Sequence, residues 1–190
     1  MASNILKKML IIGKDFYTIS DLQKISGLKK ASLLVALSRL EKRDEIRRIY
    51  KGVYLLPEQK ADEEKIATQI YAPSYLSFES SLSRYGILSQ IPYAVTLATT
   101  NRPKKMMILG KAVEYRRIKK ELFFGFSLVE GVYVADPEKS LLDQLYFVSL
   151  GRATLSLEEL DLKKINKVKF WLYAKKYPLR TQRLARKILE

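Results

Sequence analysis

Two lysines, Lys29 and Lys30, stand at the start of a helical run, where free N–H groups and the helix dipole are already positive. Helix starts ordinarily carry Ser, Thr, Asp or Asn caps and acids in the first turn. Cations there cost stability unless an anion is bound, and a nucleic-acid phosphate would satisfy both the lysines and the N–H groups. Setting the run from Lys29 to Lys42 at helical steps puts Leu33, Leu37 and Leu40 on one face, flanked by Leu34 and Ala36. The opposite face carries Ala31, Ser32, Val35, Ser38, Arg39 and Lys42. Serine and arginine hydrogen-bond base edges, and valine meets a thymine methyl group. The chemistry expected of this helix is phosphate and base recognition on a duplex; the plainer alternative is a solvated helix with an indifferent start.

Flanking segments are expected to position that helix. Ser20 is the expected N-cap of a preceding helix, with Asp21 in its first turn, Leu22 and Ile25 inward, and Ser26-Gly27 as the break. After Arg43-Asp44 the period changes. Glu45 to Ile49 and Val53 to Leu56 read as two short strands around Tyr50-Lys51-Gly52, ended by Pro57. That hairpin is a wing carrying Arg47, Arg48 and Lys51 near its tip. Ser3 is expected to cap a first helix with Ile5, Leu6, Met9 and Leu10 as its apolar stripe and Gly13 as its end. Residues 1–60 therefore predict a winged helix-turn-helix that binds DNA through Lys29, Lys30, Ser32, Val35, Ser38, Arg39, Lys42, Arg47, Arg48 and Lys51.

Composition fits a polyanion partner. The 190 residues hold 35 lysines and arginines against 20 acids, a formal charge of +15 with no histidine. The charge is uneven. Residues 1–60 hold 13 basic and 6 acidic side chains (+7), 61–150 hold 11 and 10 (+1), and 151–190 hold 11 and 4 (+7). A near-neutral body between two basic ends is the expected organisation. Cysteine is absent, which excludes disulfides and thiol chemistry; without histidine as well, the usual ligands for structural zinc and most triad chemistry are missing. No cofactor and no metal are expected. With no signal peptide and no apolar run near membrane-spanning length, the expected location is the cytoplasm, with no membrane partner.

Residues 61–190 read as an α+β domain. A helix is expected from Asp62 to Tyr71, then an extended entry at Tyr75 to Phe78 and a helix closed by Gly86. Val95 and Leu97 begin a set of strands that continues through 106–109, 113–117, 122–129 and 132–134. Gly110-Lys111 and Glu130-Gly131 mark hairpins, so a small, mainly antiparallel sheet is predicted. Asp136-Pro137-Glu138 is a strong helix start, with Leu141, Leu142, Leu145 and Tyr146 covering one side. In the helical tail, Ile165, Val168, Trp171 and Leu172 form one stripe, and Pro178 opens a helix with Leu184 and Ile188. Lys175, Lys176, Arg180, Arg183 and Lys187 make a candidate second basic surface, with a solvated helix face as the plainer reading.

Four stretches, in order, resemble the AbiEi antitoxin family. They are Arg48-Ile49-Tyr50-Lys51-Gly52-Val53-Tyr54-Leu55-Leu56-Pro57, Tyr75-Leu76-Ser77-Phe78-Glu79-Ser80-Ser81-Leu82 with Tyr85-Gly86, Thr99-Thr100-Asn101-Arg102-Pro103, and Asp136-Pro137-Glu138-Lys139-Ser140-Leu141-Leu142-Asp143. The resemblance covers roughly residues 18 to 150, and the tail beyond Gly151 matches no family motif. It implies an antitoxin that doubles as a transcriptional repressor, binding the operator of its own operon through the winged helix. It also implies a nucleotidyltransferase-like toxin, counteracted by the C-terminal domain, in phage defence by abortive infection.

Other classes compete. Some relatives are stand-alone regulators without a toxin. An enzyme without His or Cys would rely on carboxylates and lysine, as metal-dependent nucleases do, and Glu63-Glu64-Lys65 and Asp136-Pro137-Glu138-Lys139 superficially suit that. Both clusters sit where helix starts need acids, so a non-enzyme is expected. An RNA-binding or purely protein-binding module is the third class.

Overall fold

Inward spacing of Ile5, Leu6 and Met9 produces the first helix, α1 (Ala2–Ile12), in a computed structural model that describes residues 2–60 and 62–189. The chain is a mixed α+β protein that divides into two compact units, Met1–Ile66 and Ala67–Glu190. In the first unit α1 is followed by β1 (Tyr17–Thr18), α2 (Ile19–Ser26), α3 (Lys30–Lys42), β2 (Arg47–Tyr50) and β3 (Val53–Leu55). The strands form an antiparallel sheet in the order β1-β3-β2. Ile5, Met9, Leu22, Leu33, Leu37, Leu40, Ile46 and Tyr54 make one apolar core. Tyr17 is buried with them, its hydroxyl donating to the Met9 carbonyl.

Several local expectations are corrected here. Ser3 lies inside α1 and is not its cap. Leu10 is 61% exposed, so the α1 stripe is narrower than its run of apolar residues suggests. Thr18, not Ser20, caps α2. Its hydroxyl accepts the Asp21 N–H at 3.2 Å while the Asp21 carboxylate accepts the Thr18 N–H at 2.9 Å, a reciprocal pair that leaves Ser20 inside the first turn of the helix. Pairing of Thr18 with Val53 in the sheet fixes where the helix begins. On α3, Leu34 remains 43% exposed.

The helix α4 (Glu63–Ile70) starts at Asp62, whose carboxylate accepts the N–H groups of Glu64 and Lys65 at 2.9 and 3.0 Å. In the second unit follow β4 (Ser74–Leu76), α5 (Phe78–Arg84), β5 (Ala94–Thr99), β6 (Lys104–Ile108), β7 (Lys111–Arg117), β8 (Phe126–Val129), β9 (Val132–Ala135), α6 (Pro137–Ser149), α7 (Lys167–Ala174) and α8 (Leu179–Leu189). Among the described residues the sheet has six strands in the order β6-β7-β5-β4-β9-β8. Three of its pairings are antiparallel, while β4–β9 and β5–β7 are parallel. Both hairpin loops hold two residues at positive φ, Leu109-Gly110 and Glu130-Gly131, the twist that tight hairpins favour. Lys111, expected in the first turn, belongs to β7.

Alternation along the strands divides the sheet faces. Tyr75, Ala98 and Ala135 join the core made with α5, α6, α7 and α8. Tyr115 faces the other way, donating to the Ala67 carbonyl at 2.7 Å and meeting the Tyr71 ring edge-on.

Three further expectations change in this unit. Leu122 closes a short 3₁₀ turn, Lys120–Leu122, and the strand starts only at Phe126 after Gly125 at φ 68°. The stripe expected at 165–172 is half right: Ile165 is buried and Trp171 packs on the core, but Val168 is 83% and Leu172 60% exposed, while Phe170 and Ala174 are buried. With α7 packed against α6, the Phe170 side is the one buried, which the even spread of apolar residues along 165–174 did not mark. Finally, α6 is buried on nearly all sides, including Lys139, Ser140, Asp143 and Gln144, because α5, α7 and α8 all pack on it.

Candidate nucleic-acid interface

The start of α3 is presented by a short turn. Gly27 closes α2 in the left-handed conformation at φ 70°, its N–H returning to the Gln23 carbonyl at 2.8 Å. Leu28 N–H is taken by the Ser26 hydroxyl, and Lys29 becomes the N-cap of α3 with no side-chain cap bond. The first bond into the helix runs from Leu33 N–H to the Lys29 carbonyl at 3.0 Å. The N–H groups of Lys30, Ala31 and Ser32 thus lie ahead of the helical ladder and point out of its end. Lys29 and Lys30 are both exposed beside them.

Burial divides α3 cleanly. Leu33, Leu37 and Leu40 have no exposure and Ala36 is buried, whereas Ala31, Ser32, Val35, Ser38, Arg39 and Lys42 are exposed. Val35, at 54% exposure, is the largest apolar side chain of that exposed set.

The β2–β3 hairpin turns at Lys51-Gly52. Gly52 adopts φ 77°, and a Cβ there would sit 3.1 Å from Ile19 Cγ1. Its carbonyl accepts the Ile19 N–H at 3.0 Å, so the hairpin tip is tied to the first turn of α2. Arg47, Arg48 and Lys51 are exposed. Arg47 and Arg48 are neighbours in one strand and project to opposite faces of it. Arg48 lies on the Tyr54 side: burial raises the Tyr54 hydroxyl pKa, and the Arg48 charge opposes that rise. The two arginines therefore serve different sides of the hairpin.

The second basic set is placed on the C-terminal unit. Lys175 and Lys176 follow α7, and Arg180, Arg183 and Lys187 are exposed along α8. Lys176 stacks its ammonium over Phe124 at 4.1 Å.

The Asp136 and Glu138 carboxylates are engaged within the fold. Asp136 stands at the α6 N-cap position without capping through its side chain. Its carboxylate instead accepts the Tyr173 hydroxyl at 2.9 Å and pairs with Lys169 at 3.0 Å. Glu138 accepts the Asn166 N–H at 2.9 Å. Among the described residues, no group of three His, Cys, Asp or Glu side chains is arranged to hold a metal ion. No helix there is long and apolar enough to cross a membrane.

Sequence reasoning passed over one polar cluster in the second unit. Asp143 accepts from Tyr75 and Ser77 at 2.9 and 2.8 Å on one oxygen, and from Lys139 and Tyr177 on the other. The only local signal was the Lys139/Asp143 spacing of four on a helix. Every polar atom in this cluster has a partner, and it holds β4, α6 and the residues after α7 together.

No protein-family model matches the chain, and no curated protein matches it either.

Proposed function

We propose that the N-terminal unit is a winged helix-turn-helix that binds double-stranded DNA and represses transcription of its own operon. The uncapped start of α3 carries the reading. Three outward N–H groups and two exposed lysines form an anion site, next to an exposed helix face that mixes Ser32, Ser38, Arg39 and Lys42 with Ala31 and Val35. In this reading α3 is the recognition helix: Lys29 and Lys30 hold backbone phosphate, and Ser32, Val35, Ser38, Arg39 and Lys42 face the major groove. The β2–β3 hairpin is the wing, with Arg47, Arg48 and Lys51 on flanking phosphates. No catalytic step is assigned to the chain, and a cytoplasmic location follows from the partner.

The test is binding of the full chain to the duplex upstream of its own gene, measured by fluorescence anisotropy beside a scrambled duplex and an RNA duplex of equal length. The upstream DNA should bind most tightly. Equal or tighter binding of the RNA would overturn the reading.

The four stretches resembling AbiEi antitoxins extend the proposal: the C-terminal unit counteracts a nucleotidyltransferase-like toxin in abortive infection. Co-expressing residues 61–190, which retain α4 and its Asp62 cap, with the product of a neighbouring gene of that type should restore growth without repressing the promoter. A folded, soluble fragment that fails where the full chain rescues would refute this division. If no toxin gene adjoins, the antitoxin half falls and the repressor half stands.

A further inference from the structure

The N-terminal unit has an apolar groove of about 540 Å³ along α1. Leu6 and Leu10 line it from the helix, and Leu56 and Pro57 line it from the segment after β3. Asp44 and Glu45, in the turn between α3 and β2, and Glu58 add carboxylates. The backbone around it is tied down. The Gln59 amide donates to the Lys14 carbonyl at 2.7 Å, and its oxygen accepts the Leu56 N–H at 3.1 Å. The Asp44 and Glu45 N–H groups return to the Glu41 and Leu40 carbonyls, both at 3.0 Å. The groove is therefore formed before anything fills it.

Its charge is opposite to that of the chain. Asp44, Glu45 and Glu58 are three of the six acids in residues 1–60, and among the described residues no lysine or arginine lines the groove. None of the three carboxylates forms an ion pair among the described residues. With a net charge of +15, two copies repel over most of their surface, and carboxylates interrupt that field here.

The matching chemistry stands on the same helix. Lys7, Leu10 and Ile11 are spaced i, i+3 and i+4, so they share a face of α1 away from the buried Ile5 and Met9. Leu10 is 61% and Ile11 79% exposed, and Lys7 is exposed with no ion pair among the described residues. Two apolar side chains and a cation on one helix face complement an apolar groove with acidic residues. Because Leu10 belongs to both, groove and helix face form one self-complementary patch, which is what a two-fold interface requires.

We propose that this groove is a dimer interface, in which a second copy of the chain lays the Lys7, Leu10 and Ile11 face of its own α1 across it. The patch shares no residue with the DNA-binding surface proposed above and stands without it.

The experiment is sedimentation of the nuclease-treated full chain, without DNA, at physiological ionic strength over a concentration series. The wild-type chain should pass from monomer to dimer. Ile11→Asp and Glu58→Lys, both at exposed positions, should each weaken dimerisation about tenfold or more while circular dichroism stays that of the wild-type chain. Glu158→Lys, an equal charge change outside the groove, should leave the dimer in place. A monomer at every concentration overturns the interface, and so does a dimer indifferent to Ile11→Asp. Loss of the dimer on Lys29→Gln with Lys30→Gln also overturns it, because the copies would then be bridged by bound nucleic acid.

Discussion

The Lys139 ammonium donates to the Tyr177 hydroxyl at 2.7 Å at a point where neither Lys139 nor its helix neighbour Asp143 has any exposed side-chain surface. Asp143 is the common acceptor for four donors there. Replacing it with alanine leaves a buried ammonium without its counter-charge and strands the Tyr75 and Ser77 hydroxyls. The cost should be about 3–5 kcal/mol. Urea unfolding followed through Trp171 fluorescence measures it, and a loss near zero would mean the cluster relaxes to water.

The same cluster sets an alkaline limit. Burial, reinforced by the Asp143 charge, raises Tyr75 and Tyr177 well above the ordinary tyrosine value of 10.0. A group with a raised folded pKa contributes stability below the unfolded value and loses it as pH rises beyond. Above pH 10 the unfolded tyrosines ionise while the folded ones do not, so stability should fall there. Lys139 acts oppositely: burial lowers it below 10.5 despite Asp143, so its contribution rises as pH approaches that value. Unfolding midpoints at pH 8, 10 and 11 should therefore drop across the last interval, and drop less in Tyr75→Phe.

Thr18→Ala removes the hydroxyl that caps α2 and should cost about 1 kcal/mol in the N-terminal unit. Its partner gives an acid signature. Burial disfavours the Asp21 charge, but hydrogen bonds from Lys14 and Thr18 prevail and hold its pKa below 3.8. A depressed carboxyl stabilises above its unfolded pKa and loses that stability as pH falls through the folded one. Asp21→Asn should flatten the acid side of the stability curve below about pH 4, as seen by circular dichroism.

Roles within the proposed DNA-binding surface separate by substitution. Arg39→Ala should cost about 1–3 kcal/mol on the operator and reduce discrimination against random DNA, as loss of a base-edge contact does. Lys29→Ala and Lys51→Ala should weaken operator and random duplex alike. Equal losses for Arg39→Ala on both duplexes would make Arg39 a phosphate contact.

Salt reports the phosphate contacts as a group. With about 6–10 phosphates neutralised, the logarithm of the DNA affinity should fall against the logarithm of salt with a slope of about −5 to −9. Lys30→Ala should make the slope about one unit shallower. Affinity indifferent to salt would contradict an electrostatic footprint.

The buried face of α3 was legible from Leu33, Leu37 and Leu40 because backbone sterics set the helical period wherever the helix packs. The hairpins at Gly52, Gly110 and Gly131 were legible for the same local reason, as glycine marks chain reversals that need positive φ. The excess of charge at the two ends needs no folding at all to be read. Beyond that range the chain was silent. Val168 and Leu172 read as inward, yet a neighbouring helix took the Phe170 side. The parallel pairings β4–β9 and β5–β7 join strands that are not consecutive in the chain, and no turn residue encodes them. Nothing local brings Lys139 beside Tyr177. Periodicity says which side of an element is apolar, but which surfaces meet is decided by packing the whole unit, and charge clusters are made only there.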